Sequence, residues 1–201
     1  MSSTSDLAQA AQAIEKAKKI IDTGVAYLAS TGGPDVHQQL AYDLAHSAAA
    51  VETARAMLDY GSKGETEALL TCAFTADMIF EVSSRLLGRE HLWGVEPHPL
   101  EGAYDFMATF RDPVFVASLA EKSGPRHLDD EFEMVQDTFR SFASKVIAPR
   151  AEHVHRFNED VPEEVIAGLA DLGAFGLSVP AEYGGFSEGG DGEYMANCIA
   201  T

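Results

Sequence analysis

Apolar residues return at helical spacing along most of this chain. Leu7, Ile14, Ile21 and Leu28 recur every seven residues, as on a helix laid along a neighbour. This predicts a first helix over residues 6–30, opened by Ser5 or Asp6 as a cap and ended by Gly32-Gly33-Pro34. Its many alanines favour close packing. Val36, Leu40, Leu44, Val51 and Leu58 hold one face of a second helix over 35–60, with Ala48 and Ala54 between them and His37 and Gln38 outside the stripe. After the turn Gly61-Ser-Lys-Gly64, a third helix over 65–87 carries Leu69, Cys72, Ala76, Ile79, Val82 and Leu86, widened by Phe74 and Met78. Three long amphipathic helices with short turns predict an antiparallel bundle, within an all-α fold.

Beyond the bundle the pattern breaks and resumes. Gly88 to Pro99 is irregular and holds the only tryptophan, Trp93. Its histidines His91 and His98 invite a metal reading, with Glu90 and Glu96 nearby. No third ligand stands at a recognisable spacing, so a loop capping the bundle with a buried Trp is the better account. A short helix over 100–110 places Phe106 and Phe110 one turn apart, and Asp112-Pro113 caps another that runs to about 122. Ser123-Gly124-Pro125 is the cleanest boundary, dividing a helical extension at 1–124 from a second domain at 125–201.

In that second domain Asp129, Asp130 and Glu131 crowd a first helical turn, where they favour the helix dipole. Phe132, Val135, Phe139, Phe142 and Val146 then step three, four, three, four, and Pro149 closes or kinks the helix. The phenylalanines could line an acyl-chain pocket, but a core stripe explains them more simply. His153 and His155, two apart, face different ways and cannot chelate one ion together. Asp160 to Pro162 opens a further helix with Glu163 and Glu164 in its first turn, burying Ile166, Leu169 and Leu172. Gly173 suits a helix C-terminus at positive φ, and Gly176 offers a second bend. Phe175 between them reads as an apolar plug. Pro180 biases Val179 towards extended geometry, and Glu182-Tyr-Gly-Gly185 reads as a turn anchored by Tyr183. The run Gly184 to Gly192 is tempting as a phosphate cradle. It lacks Lys and a preceding strand, and Glu188 and Asp191 would repel phosphate, so an acidic, flexible connector is expected. The closing segment Glu193-Tyr-Met-Ala-Asn-Cys-Ile-Ala-Thr201 starts an apolar helix without capping signals, which reads as part of something longer.

Composition narrows the partners. Fourteen basic residues face 32 acidic ones, a net charge of −18. Residues 125–201 alone hold 15 acids and five bases. Such a surface repels nucleic acid and anionic lipid, so neither is an expected partner. The same charge gives no support to an anionic acyl-CoA ligand. No apolar run is long enough to span a bilayer, and the N-terminus lacks signal-peptide order. Cys72 and Cys198 lie far apart without ligand spacing, which fits a reduced, cytoplasmic chain with two small buried thiols.

Three ordered motifs carry a resemblance: Phe139-Arg-Ser-Phe-Ala-Ser-Lys-Val-Ile-Ala-Pro149, Val161-Pro-Glu-Glu-Val-Ile-Ala-Gly-Leu-Ala-Asp-Leu-Gly173, and Leu172-Gly-Ala-Phe-Gly-Leu-Ser-Val-Pro-Ala-Glu-Tyr-Gly-Gly185. Together they resemble the N-terminal helical domain of flavin-dependent acyl-CoA dehydrogenases, over roughly residues 127–201. The resemblance implies that residues 125–201 are a truncated version of that domain. It implies an enzyme that binds FAD, oxidises an acyl-CoA between its α and β carbons, passes electrons to an electron-transfer flavoprotein and assembles as a homo-oligomer. The family's catalytic glutamate and flavin-contacting motif would both lie beyond Thr201. No catalytic, cofactor-binding or metal-binding residue is therefore assigned in this chain, and the 201 residues alone are expected to be inert. The extension, with Leu40-Ala-Tyr-Asp-Leu-Ala-His-Ser-Ala-Ala-Ala50, Ala54-Arg-Ala-Met-Leu-Asp-Tyr-Gly61 and the joint Gly124-Pro-Arg-His-Leu-Asp-Asp130, is similar to that of extended members acting on a short branched acyl-CoA. A different class of reading stands beside it: a non-catalytic helical module, or a partner subunit that docks on a complete dehydrogenase. A reading frame that continues past codon 201 into a β-rich segment separates the two.

Overall fold

Each of the three long stripes finds its partner in the other two. The computed structural model describes residues 3–201, leaving aside the side chains of Ser3, Ser5 and Asp191; Ser5 as a cap and Asp191 as a phosphate repellent fall on side chains outside that description. Helix α1 spans Ser3–Ser30, α2 Gln38–Gly61 and α3 Glu65–Leu86. Ala10, Ala13, Ile14, Ala17, Ile20 and Ile21 of α1 are buried against Leu44, Val51 and Ala54 of α2 and Cys72, Ala76, Ile79 and Val82 of α3. Small residues set the spacing. A Cβ on Gly24 would lie 2.7 Å from a Leu44 methyl carbon, so α1 and α2 approach more closely there than larger side chains allow.

Three expectations are corrected in this bundle. Helix α1 begins before Asp6, which is buried within it and does not cap it. Helix α2 begins at Gln38, because the turn that Gly32 and Gly33 open at positive φ carries on through Asp35 and Val36. Val36 is therefore 66% exposed instead of lying on the buried face. His37 fastens this turn by donating from Nε2 to the Thr31 carbonyl at 2.9 Å. Asp43, which has no place in an apolar stripe, is buried beside Leu44. It is neutralised across the bundle by Arg89 at 3.0 Å and Arg85 at 3.9 Å, both from the C-terminal end of α3.

Trp93 closes one end of the bundle. It sits on the 3-10 turn Glu90–Trp93, only 1% exposed. Leu100, Ala103, Phe106 and Phe110 complete this core, the last two on α4 (Tyr104–Phe110). Asp112 caps α5 (Pro113–Leu119), its carboxylate accepting from Val114 N at 2.9 Å and Phe115 N at 3.1 Å. Cys72 is buried among these helices, and loss of hydration, with the Asp6 charge nearby, pushes its thiol from an ordinary 9.0 up to about 12. Cys198 is exposed, so the expectation of two buried thiols holds for one only.

The chain divides into two compact units, the first running to Pro125 and the second from Arg126 to Thr201. The second is also helical: α6 Asp130–Phe142, α7 Ala148–Phe157, α8 Glu163–Asp171 and α9 Asp191–Ala200. Asp129 caps α6, accepting from Phe132 N at 2.9 Å. Pro149 does not close the helical run, but the α-helix is interrupted just before it. A π turn over Ala143–Ile147 widens the spiral and α7 follows directly with Pro149 in its first turn. The wider turn accommodates a residue that cannot donate to the carbonyl four residues back. Asn158, at φ 51°, ends α7. Helix α9 packs beside α6, with Gly192 next to the Phe132 ring, so it does not lack a neighbour. Among the described residues there is no β-strand, only one isolated bridge between Pro180 and Ser187.

The thiols give a direct check on this packing. In the native protein a thiol reagent is expected to modify Cys198 promptly and Cys72 only after denaturation. Protonated in the fold well above 9.0, Cys72 contributes stability that is complete below that pH and drains away as pH climbs towards about 12. Wild type should accordingly lose stability more steeply above pH 9 than Cys72→Ala does, as measured by urea denaturation at stepped alkaline pH; parallel curves would contradict the assignment.

Candidate functional site

The second unit differs from the first in what it leaves uncovered. Val165 is its only fully buried apolar residue among those described. The stripe Phe132, Val135, Phe139, Phe142 and Val146 lies on one side of α6 and the π turn, each residue only half-buried. Beside it Asp130, Glu133, Met134, Asp137, Thr138, Ser141 and Lys145 line an open groove along α6. The phenylalanines thus share a face, and none forms a closed acyl-chain cavity. Met134, Phe157, Val161, Ile166, Phe175, Tyr183, Phe186, Tyr194 and Met195 are exposed. These exposed apolar residues are spread over α6, α7, α8, α9 and the turns between them, so the unit buries little of its own apolar surface.

Its most constrained part is the junction from Gly173 to Ser187. Helix α8 ends at Gly173 in the left-handed region, φ 75°. The following turns close on themselves. Phe186 N donates to Gly176 O at 2.9 Å, Ser187 N to Val179 O at 2.9 Å, and Gly185 N to Pro180 O at 3.2 Å. Gly185 lies so tightly on Val179 that any Cβ would collide with the Val179 carbonyl. The ring of Phe186 occupies the space that Gly173 and Gly176 leave by lacking side chains; a Cβ would meet it at 2.7 Å and 3.0 Å respectively.

That arrangement corrects two expectations. Phe175 is 61% exposed and plugs nothing; the ring lying over the two glycines is that of Phe186, whose outer side is itself open, at 66% exposed. Tyr183 anchors nothing within the unit, at 76% exposed. Phe186 stands among glycines and polar residues, ten positions after Gly176, so local pattern does not point to its contact with the bend; the paired glycines Gly173 and Gly176 are the available signal. Together Asp171, Leu172, Gly173, Phe175, Gly176, Gly184 and Phe186 line a shallow dish of mixed polarity at the surface.

The remaining candidate groups are placed as follows. His153 is exposed, its Nε2 3.3 Å from Glu159 and its ring stacked near Phe157, and His155 is exposed as well. His91 and His98 are also exposed, on the loop at the end of the first bundle. No group of three His, Cys, Asp or Glu side chains able to hold a metal ion occurs among the described residues. The glycine-rich run Gly184 to Gly192 is turned, with positive φ at Gly184, Gly189 and Gly190. Its Gly189 amide donates to Glu193 Oε2 at 2.8 Å. Hydrogen bonds from the Ser187 hydroxyl and from that amide hold the Glu193 carboxyl below its ordinary value. A carboxylate therefore occupies the place a phosphate would need. The pyrophosphate of FAD does not fit this turn.

Residues 129–201 match the family model for the acyl-CoA dehydrogenase N-terminal domain. The chain is 46% identical over 63 residues to a (2S)-methylsuccinyl-CoA dehydrogenase of Cereibacter sphaeroides, 31% of this chain and 12% of that protein. It is 37% identical over 75 residues to a glutaryl-CoA dehydrogenase of Desulfococcus multivorans, 37% of this chain and 19% of that protein. It is 42% identical over 64 residues to a probable acyl-CoA dehydrogenase of Bacillus subtilis (strain 168), 32% of this chain and 16% of that protein. The matched part thus spans less than a fifth of each of these curated relatives. Among the described residues no helix is long and apolar enough to cross a membrane.

Proposed function

We propose that this chain is the N-terminal part of an FAD-dependent acyl-CoA dehydrogenase, with residues 125–201 supplying its N-terminal helical domain and residues 1–124 a helical extension. One observation carries the reading: the stretch matching the family domain, residues 129–201, is the same stretch whose apolar faces stay open. A unit with a single fully buried apolar side chain among those described suits a piece that completes its core against further protein. The reaction class is α,β-dehydrogenation of an acyl-CoA. The 46% identity to a (2S)-methylsuccinyl-CoA dehydrogenase supports a short branched substrate, with (2S)-methylsuccinyl-CoA converted to mesaconyl-CoA in the ethylmalonyl-CoA route. In this reading FAD and the groups that remove the two hydrogens are held outside these 201 residues. The enzyme is cytoplasmic and homo-oligomeric, with electron-transfer flavoprotein as acceptor. Absorbance tests the division of labour. The 201-residue chain, purified from flavin-replete cells, is expected to be colourless, and a stoichiometrically yellow preparation would overturn it.

A further inference from the structure

We propose that Asp43 is the fixed half of a latch: through Arg89 it sets the direction in which the chain leaves α3, and so positions the turn whose Trp93 closes the bundle. Helix α3 stops at Leu86, and Gly88, at φ 78°, starts the chain back. A Cβ at Gly88 would meet no atom within 4 Å. No packing at that position holds the bend, so the residues after it set its angle. Arg89 stands at this joint. Its backbone N donates to Leu86 O at 2.8 Å, closing the end of α3, and its carbonyl accepts from Leu92 N at 2.9 Å, opening the turn Glu90–Trp93.

The guanidinium of Arg89 reaches the other way. Its Nη2 donates to the Arg85 carbonyl at 2.5 Å and lies 3.0 Å from Asp43 Oδ2 on α2. The second contact is an ion pair and not an aligned hydrogen bond, since Oδ2 is buried without a donor in line with it. Asp43 is 8% exposed, so solvent screens its charge little. Such a carboxylate fixes the place of its partner strictly, because a departing guanidinium leaves a charge uncompensated. Arg85 is the weaker holder: its Nε stands 3.9 Å from Asp43 Oδ1, and its Nη1 also faces Glu81 Oε2 at 3.5 Å on the same helix. One end of the turn is thus held by the buried indole and the other by the pair Asp43–Arg89. An acid that looks out of place in an apolar stripe is in this account what orients the closing turn.

Hydrogen exchange of the Trp93 indole N–H, followed by NMR, tests this on the 201-residue chain, which has no second tryptophan. Arg89→Met is expected to speed that exchange at least about tenfold while the Ile79 amide, in the middle of α3, keeps its wild-type rate. Arg85→Met is expected to change it by less than about threefold. The double variant Asp43→Asn/Arg89→Met, which leaves no uncompensated carboxylate, is expected to stay fast, because the latch is still missing. A wild-type indole rate in Arg89→Met would overturn the proposal, and so would an equal acceleration by Arg85→Met. A return to the wild-type rate in the double variant would overturn it as well, since the stranded charge would then be the cause. If Arg89→Met speeds Ile79 as much as the indole, the bundle itself is opening; the double variant then replaces it and must speed the indole with Ile79 unchanged, and failure to do so sinks the idea.

Discussion

Replacing Trp93 with alanine lowers the stability of the first unit by about 3–5 kcal/mol, the cost of emptying a large aromatic site in a packed core. The indole is fully buried, and a Cβ on Gly24 would lie 3.3 Å from its Cε3. It is held on a short 3-10 turn, with Gly94 at φ 66° closing that turn against Tyr27. The flanking loop is held by the backbone bonds Leu92 N to Arg89 O at 2.9 Å and Val95 N to Glu90 O at 3.2 Å, which limits its collapse into the space. Urea denaturation followed by far-ultraviolet circular dichroism measures the effect, which should move the midpoint and leave the slope alone. A loss below about 1 kcal/mol, the size of an average substitution, would mean that the turn is an appendage and not the end of the core.

Gly185→Ala is the second large effect, and it acts through backbone atoms. The added methyl meets the Val179 carbonyl group, with the carbonyl carbon at 2.5 Å. Neither can rotate aside, so the turn must open. Opening it gives up Ser187 N to Val179 O and Phe186 N to Gly176 O, both 2.9 Å, and lifts Phe186 from Gly173 and Gly176. Two hydrogen bonds and a displaced ring come to about 2–4 kcal/mol of local stability. The adjacent Gly184→Ala is the control. Gly184 sits at φ 84° with no atom within 4 Å of a new Cβ, so only left-handed strain of about 1–2 kcal/mol applies. Amide exchange across residues 176–187 should rise in both variants and much further in Gly185→Ala; the reverse order would remove the steric account of this junction.

Much of this architecture was legible because period-3.6 apolar stripes dictate helices wherever they run long. The stripes of α1, α2 and α3 placed Ile14, Leu44, Val51, Ile79 and Val82 correctly in the core. Trp93 was legible as a cap, since a lone large aromatic in an irregular loop has little else to do. The misses share a cause: each depends on a partner far away in the chain. Asp43 interrupts an apolar stripe without explanation until α3 returns Arg85 and Arg89 to it. The ring that lies over Gly173 and Gly176 is Phe186 and not Phe175, because it comes from across a turn, and local order says nothing about that. Pro149 predicts a break by its missing donor, yet one π turn accommodates it. For the second unit the stripe of α6 was read in the right phase, but its half-burial reflects how little of the described surface packs against it.

The functional reading stands on residues 129–201 and on the surface they leave open, and the substrate on similarity to one relative over 63 residues. The most direct test is turnover by the product of the complete reading frame, purified with its flavin and assayed with an artificial electron acceptor. It is expected to oxidise (2S)-methylsuccinyl-CoA with a kcat/KM at least about tenfold above those for butyryl-CoA and isobutyryl-CoA, the margin a site shaped for a particular branch and carboxylate can supply. A flavin-loaded protein that prefers butyryl-CoA would remove the substrate assignment, and one that oxidises no acyl-CoA would contradict the dehydrogenase account itself.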